Sequence, residues 1–222
     1  MDKLGLLRIR NQTIRQLVYD QLKSKIISAE IAPGQVINLR SLASELGVSI
    51  IPIREALWQL ESEKAIIIEQ NRNIRVNSLS PEEMKEVLRI RLLLETMAAR
   101  RSCERRPETA VREVNALLAE MKKLINHPKE YLSKNSQFHF AIYRYADSSI
   151  LMQLIQLLWT RIGPYLSLIV AKGGDFSFSM QSHQAMAEAF AEKNKTALEK
   201  ALRQDLELAA NFIIPFLRDA SN

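Results

Sequence analysis

The stretch from Ile37 to Glu61, INLRSLASELGVSIIPIREALWQLE, admits few folds. Leu39, Leu42, Ala43 and Leu46 recur at helical spacing and lay one apolar stripe, while Arg40 and Glu45 stay in water. Gly47 supplies the left-handed backbone that a sharp helix stop requires, and Ser49 is placed to accept backbone N–H bonds at the start of the next helix. Pro52 is tolerated only in a first turn, where its missing N–H costs nothing, so that second helix begins near Ile50. Ile53, Ala56, Leu57 and Leu60 form its buried stripe. Arg54 falls off the stripe within the first two turns, where side chains of a recognition helix reach base edges in the major groove. This is the layout of a helix-turn-helix. The alternative, until the flanks are considered, is an ordinary helical hairpin inside an all-helical core.

The flanks favour a DNA reader. Upstream, Thr13 to Ser28 is an amphipathic helix with Leu17, Val18, Leu22, Ile26 and Ile27 on one side and Arg15, Lys23 and Lys25 available for phosphates. Ala32-Pro33-Gly34 is a turn signal that leads from it into the next helix. Downstream, Ala65 to Glu69 and Ile74 to Asn77 are short β-branched segments around Gln70-Asn71-Arg72-Asn73, which predicts a two-stranded hairpin. Its polar tip would set Arg72 beside the duplex, at a minor groove or a phosphate. Three helices followed by such a hairpin make a winged helix-turn-helix domain, expected over residues 1–78.

Charge alone does not locate a nucleic-acid face. The net charge is +6, which favours a polyanionic partner. Residues 1–78 carry 11 Lys/Arg against 8 Asp/Glu and the rest of the chain 20 against 17, so the excess is evenly spread. A single cysteine, Cys103, leaves no intrachain disulfide, and MDKLGLLRIRNQ has neither a long apolar run nor a cleavage site. No window holds the ~18 uninterrupted apolar residues of a membrane span. A cytoplasmic protein with no membrane partner is expected.

From Ser80 onward helical periodicity prevails, predicting an all-α bundle of six helices over residues 79–222 and a mainly α chain. Ser80 caps a helix whose first turn holds Pro81, Glu82 and Glu83 and which runs to about Arg105. Others follow from Pro107, from Pro128 to Ala146, from Ser148 to about Ala171, from Phe178 to Glu192, and from Thr196 to Leu217. Lys172-Gly173-Gly174-Asp175 lacks the flanking strand and lysine of a phosphate loop and reads as a linker. Asn135 and His139 lie four apart and share a helix face. His183 and Asp205 sit on the last two helices among apolar neighbours. Together these residues can enclose a divalent metal in the bundle core, or form a hydrogen-bonded buried histidine cluster.

Residues 14–77, with IISAEIAPGQ, LASELGVS and PIREAL before a short wing, resemble the DNA-binding domain of GntR-family bacterial transcription regulators. Residues 80–217, with RLLLETMAA, SQFHFAIYRYADSSIL, LLWTRI and SHQAMAEAFAEKNKTALEKALRQD, resemble the FCD effector-binding domain of the FadR subfamily. The resemblance implies a homodimer on double-stranded operator DNA, with Arg40 and Arg54 at DNA-contacting positions and Ser49 near the phosphates. Ile50 stands where that family usually has arginine or another polar residue, and Asn71 and Asn73 stand where its wing often has glycine. The family's metal set is an aspartate, then a histidine four residues on, then two more histidines. Here those positions read Asn135, His139, His183 and Asp205, a set that suits zinc, nickel or manganese, or else marks a member that binds its effector directly. Effectors implied by the resemblance are small carboxylates or acyl derivatives, with Arg91, Arg161 and Arg144 as the cationic candidates. Trp159, Tyr143 and Tyr165 read as core or pocket wall. Half-sites ~34 Å apart and a hinge at Ser78 to Pro81 complete the expectation. Two rivals are an all-α metal-dependent enzyme built on His139, His183 and Asp205, and a scaffold whose winged domain binds protein.

Overall fold

The structure is a computed structural model that describes residues 13–69 and 73–219. Thr13 caps α1 (Ile14–Ile27) by accepting the Gln16 N–H at 3.2 Å. After the Pro33-Gly34 turn comes β1 (Val36–Ile37), a strand the sequence reading did not contain, because two residues carry no periodicity. Asn38 Oδ1 then accepts the N–H groups of Arg40 and Ser41 and starts α2 (Leu39–Leu46). Gly47 ends it with φ 64° and ψ 30°, the left-handed stop expected of it. In α3 (Ile50–Ser62) the predicted cap is only half right: Ser49 has extended backbone, but its side chain makes no capping hydrogen bond. The hairpin forms as β2 (Ile66–Ile68) and β3 (Ile74–Val76), antiparallel with Ile67 opposite Arg75, and β1 adds on the far side to give the order β1-β3-β2. Of the expected wing tip Gln70-Asn71-Arg72-Asn73, the first three residues lie outside the described ones. Leu22, Ile26, Ile53, Leu57, Leu60 and Ile66 seal this domain's core.

The helix capped by Ser80 begins where its cap predicts. Ser80 and Glu83 form a complete capping box on α4 (Pro81–Arg105). α5 (Glu108–Lys123) and α6 (Pro128–Tyr143) follow, the latter ending in a 3-10 turn through Ala146. The fourth predicted helix is broken. Pro164 has no N–H to bond back to the preceding turn and its ring crowds that turn, so α7 (Ser149–Ile162) ends in a 3-10 turn at Gly163–Tyr165 before the short α8 (Leu166–Ala171). α9 (Ser177–Ala191) and α10 (Lys195–Asp219) close the bundle. The segment 149–171 is long and apolar enough to cross a membrane by length and composition, yet half of it is buried within the protein. It packs against α4 and α1.

The two domains touch along α1 and α7. The Tyr165 hydroxyl accepts the Leu79 N–H at the junction. Gly163 lies so close to α1 that a Cβ there would sit 2.6 Å from the Ile27 carbonyl oxygen.

Candidate functional site

On the winged domain, the stripe of α3 made by Ile53, Ala56, Leu57 and Leu60 is fully buried and sends Arg54 outward. Arg54 and Arg40 are both exposed, and neither enters an ion pair among the described residues. Ser49, uncommitted to capping, is exposed beside them. Lys23 corrects the sequence reading. Its ammonium donates to the Tyr19 hydroxyl at 2.7 Å and to Glu63 at 3.1 Å, with 16% of the side chain exposed, so it ties α1 to the end of α3 and is withdrawn from phosphates. Lys25 is held by Glu30 at 2.8 Å. Arg15 stays exposed on α1.

Inside the helical domain, α6, α9 and α10 bring His139, His183 and Asp205 to one point, all three buried. The two Nε2 atoms are 3.2 Å apart. His139 Nε2 lies 3.2 Å from Asp205 Oδ2, and His183 Nε2 lies 3.4 Å from Oδ1. Donor atoms around a tetrahedral ion with bonds of ~2.0 to 2.1 Å are about 3.3 Å apart, so these separations are those of a metal shell without rearrangement. Burial pushes the His139 imidazole below the usual histidine range, against the pull of Asp205. For Asp205, burial acts to raise the carboxyl, but the charge of His183 and the closeness of both imidazoles outweigh it and hold the group well below the carboxylate range.

A second layer holds these groups in place. His139 Nδ1 meets the Tyr143 hydroxyl at 2.9 Å, and that hydroxyl donates to Glu95 at 2.7 Å. Glu95 in turn accepts Arg91 Nε at 2.5 Å, and the guanidinium lies 4.7 Å over the Trp159 ring. On the other side, His183 Nδ1 meets the Tyr131 hydroxyl at 3.2 Å, while Ser179 Oγ donates to Asp205 at 2.8 Å. Burial raises both tyrosines above their ordinary range, so both stay protonated.

A cavity of about 150 Å³ reaches Asp205 and Asn135, walled by Tyr131, Phe176, Leu166 and Phe212. Of the four positions singled out by sequence, three converge, and Asn135 lines this cavity with Asp205. The expected cationic residues do not come to it. Arg91 is spent on Glu95 behind His139. Arg161 lies 3.8 Å from Glu83 near the domain junction, with its Nε buried and unpaired, and Arg144 grips Glu113 at 2.9 and 3.1 Å. Sequence reasoning missed Glu95 and read Tyr143 only as core or pocket wall, although Arg91/Glu95 and His139/Tyr143 each show the i, i+4 spacing that signals a shared face.

Comparison with known proteins adds family evidence. The model of the FCD domain matches residues 86–208, and that of bacterial regulatory proteins of the gntR family matches residues 14–76. Over 164 residues the chain is 29% identical to the HTH-type transcriptional regulator McbR of Escherichia coli (strain K12), covering 73% of this chain and 74% of that protein. It is 28% identical over 198 residues to the gluconate operon transcriptional repressor of Bacillus subtilis (strain 168), covering 84% and 79%. The solved structure of E. coli McbR/YncC shares the fold with a TM-score of 0.85 at 24% identity, covering 96% of this chain and all of that one. A putative GntR regulator from Rhodococcus sp. RHA1 follows at 0.75 and 20% identity, covering 90% and 97%.

Proposed function

The chain belongs to the gntR family of bacterial regulatory proteins and carries the FCD domain, and from that premise we propose that it reads operator DNA as a cytoplasmic homodimer through Arg40, Ser49, Arg54 and Arg72. It is a transcription regulator and not an enzyme, since its relatives are regulators and none supports a catalytic role for the histidine pair. The observation that carries the DNA reading is the exposed Arg54, unpaired among the described residues, on a helix whose inner face is sealed. Dimerisation through the helical domain is supported by an apolar stripe on α4, where Ile90, Leu93 and Met97 are 39%, 64% and 50% exposed. The test is a binding titration against operator duplex at several salt concentrations: affinity should fall linearly in log salt, with a slope set by the phosphates neutralised. A flat response would return the winged domain to the protein-binding scaffold.

The helical domain senses a small molecule. A cavity of 150 Å³ holds a ligand about the size of benzene. His139, His183 and Asp205, with Asn135 at the cavity, are the residues that would hold a divalent ion such as zinc, nickel or manganese. When bound, such an ion supplies the positive charge an effector carboxylate needs, because none of the described side chains lining the cavity is cationic. Arg91 then acts one step back, holding Glu95 so that Tyr143 orients His139. Arg161 sits at the junction with the winged domain, where it answers to domain placement and not to the ligand's charge. Effector entry biases the placement of the winged domains only if the ligand binds one arrangement more tightly than the other. Elemental analysis with native mass spectrometry of the purified protein reports metal, retained ligand and chain stoichiometry together.

A further inference from the structure

The reading helix is unusually greasy where it meets solvent. In its first turn Ile51 is 70% exposed and Ile50 38% exposed, and Trp58 on the same face is 55% exposed. Exposed Arg54 lies one turn on from Ile51 and Ile50, so two apolar groups and a cation share the outer face. Large side chains left in water at the working end of a helix whose inner face is sealed are held ready for a contact. Arginine beside them favours a polyanion over an apolar protein surface.

Resting on the operator-binding reading above, we propose that Ile51, with Ile50, reads thymine by its 5-methyl group. The chemistry narrows to this because isoleucine neither donates nor accepts a hydrogen bond. Among the base edges in the major groove, thymine alone presents an apolar group. Arg54 can recognise guanine by two hydrogen bonds, whereas the isoleucines register only a methyl. The two kinds of contact on one face specify different base pairs at neighbouring positions.

The experiment uses the full chain. Duplexes are first selected from a random library by the parent protein, and each thymine of an enriched half-site is then replaced by deoxyuridine, which removes the methyl and nothing else. At one or two positions binding should weaken about fourfold, the equivalent of burying one methyl, ~0.8 kcal/mol. That loss should vanish in Ile51→Ala or Ile50→Ala, both exposed sites whose folding is checked by circular dichroism. The proposal is overturned if no thymine is sensitive, or if the sensitivity persists in the doubly substituted chain. It is also overturned if Ile51→Ala changes the chain's mass in solution while leaving the deoxyuridine profile intact, since the face then belongs to a second copy. Failure to enrich any duplex would remove the operator-binding reading itself.

Discussion

Tyr143 donates its only hydroxyl proton to Glu95 at 2.7 Å, and this bond fixes which nitrogen of His139 carries the hydrogen. With its proton spent, the Tyr143 oxygen can only accept at its 2.9 Å contact with His139 Nδ1, so the imidazole carries its hydrogen there. Nε2 is left as a lone pair aimed at a carboxylate 3.2 Å away and at a second Nε2 at the same distance. Lone pairs gathered so closely attract a cation. Tyr143→Phe should therefore weaken zinc binding 10- to 100-fold, the usual effect of losing a partner that orients a ligand. Competition with a chromophoric chelator measures it, and unchanged affinity would detach Tyr143 from the site.

Metal should stabilise the folded chain. Zinc at a hundred times its dissociation constant adds ~2.7 kcal/mol, read as a rise in the thermal midpoint. Asp205→Ala should abolish the rise, because it removes the only carboxylate of the set. A midpoint that zinc leaves unmoved in the parent chain would mean that the pair of imidazoles serves packing alone.

Arg54→Ala should lower affinity for a selected operator by ~1 to 3 kcal/mol and relax specificity at one position. Lys23→Ala should behave differently. Because Lys23 bridges Tyr19 and Glu63, its loss should cost ~1 to 2 kcal/mol of stability and leave the salt slope of DNA binding unaltered. Urea titration beside a gel-shift series separates the two, and a shallower salt slope in Lys23→Ala would restore it to the phosphates.

Gly163→Ala should destabilise by ~1 to 3 kcal/mol, because the new methyl would push directly on the backbone of Ile27. In a position free of contact the same change stabilises by ~0.4 to 1 kcal/mol, so the sign of the shift in the urea midpoint decides the matter.

The elements legible in the sequence were those with a local cause. Gly47, Pro52 and the Ser80/Glu83 box each dictate backbone within four residues, and each appears as expected. His139, His183 and Asp205 could be paired because helical phase brings them inward. The break at Gly163-Pro164 was visible as letters but outvoted by the apolar run around it. Commitments made across the fold stayed hidden. Lys23 and Glu63 are 40 residues apart and Tyr143 and Glu95 48 apart, and nothing local announces either pairing. Arg91 differs: its i, i+4 partner Glu95 was legible on the same helix, but the charge of Arg91 pointed to a ligand instead.

Trp159 packs its ring 5.3 Å from that of His139, and four residues later, in the 3-10 turn that ends its helix, Gly163 rests on Ile27. Four residues of helix span only ~6 Å, roughly a single turn. A displaced indole would thus be felt almost at once by the first helix of the reading head, as the short arm of a balance moves its beam. Sensor and reader in this chain are neighbours, and the span over which any signal must survive is scarcely longer than a side chain.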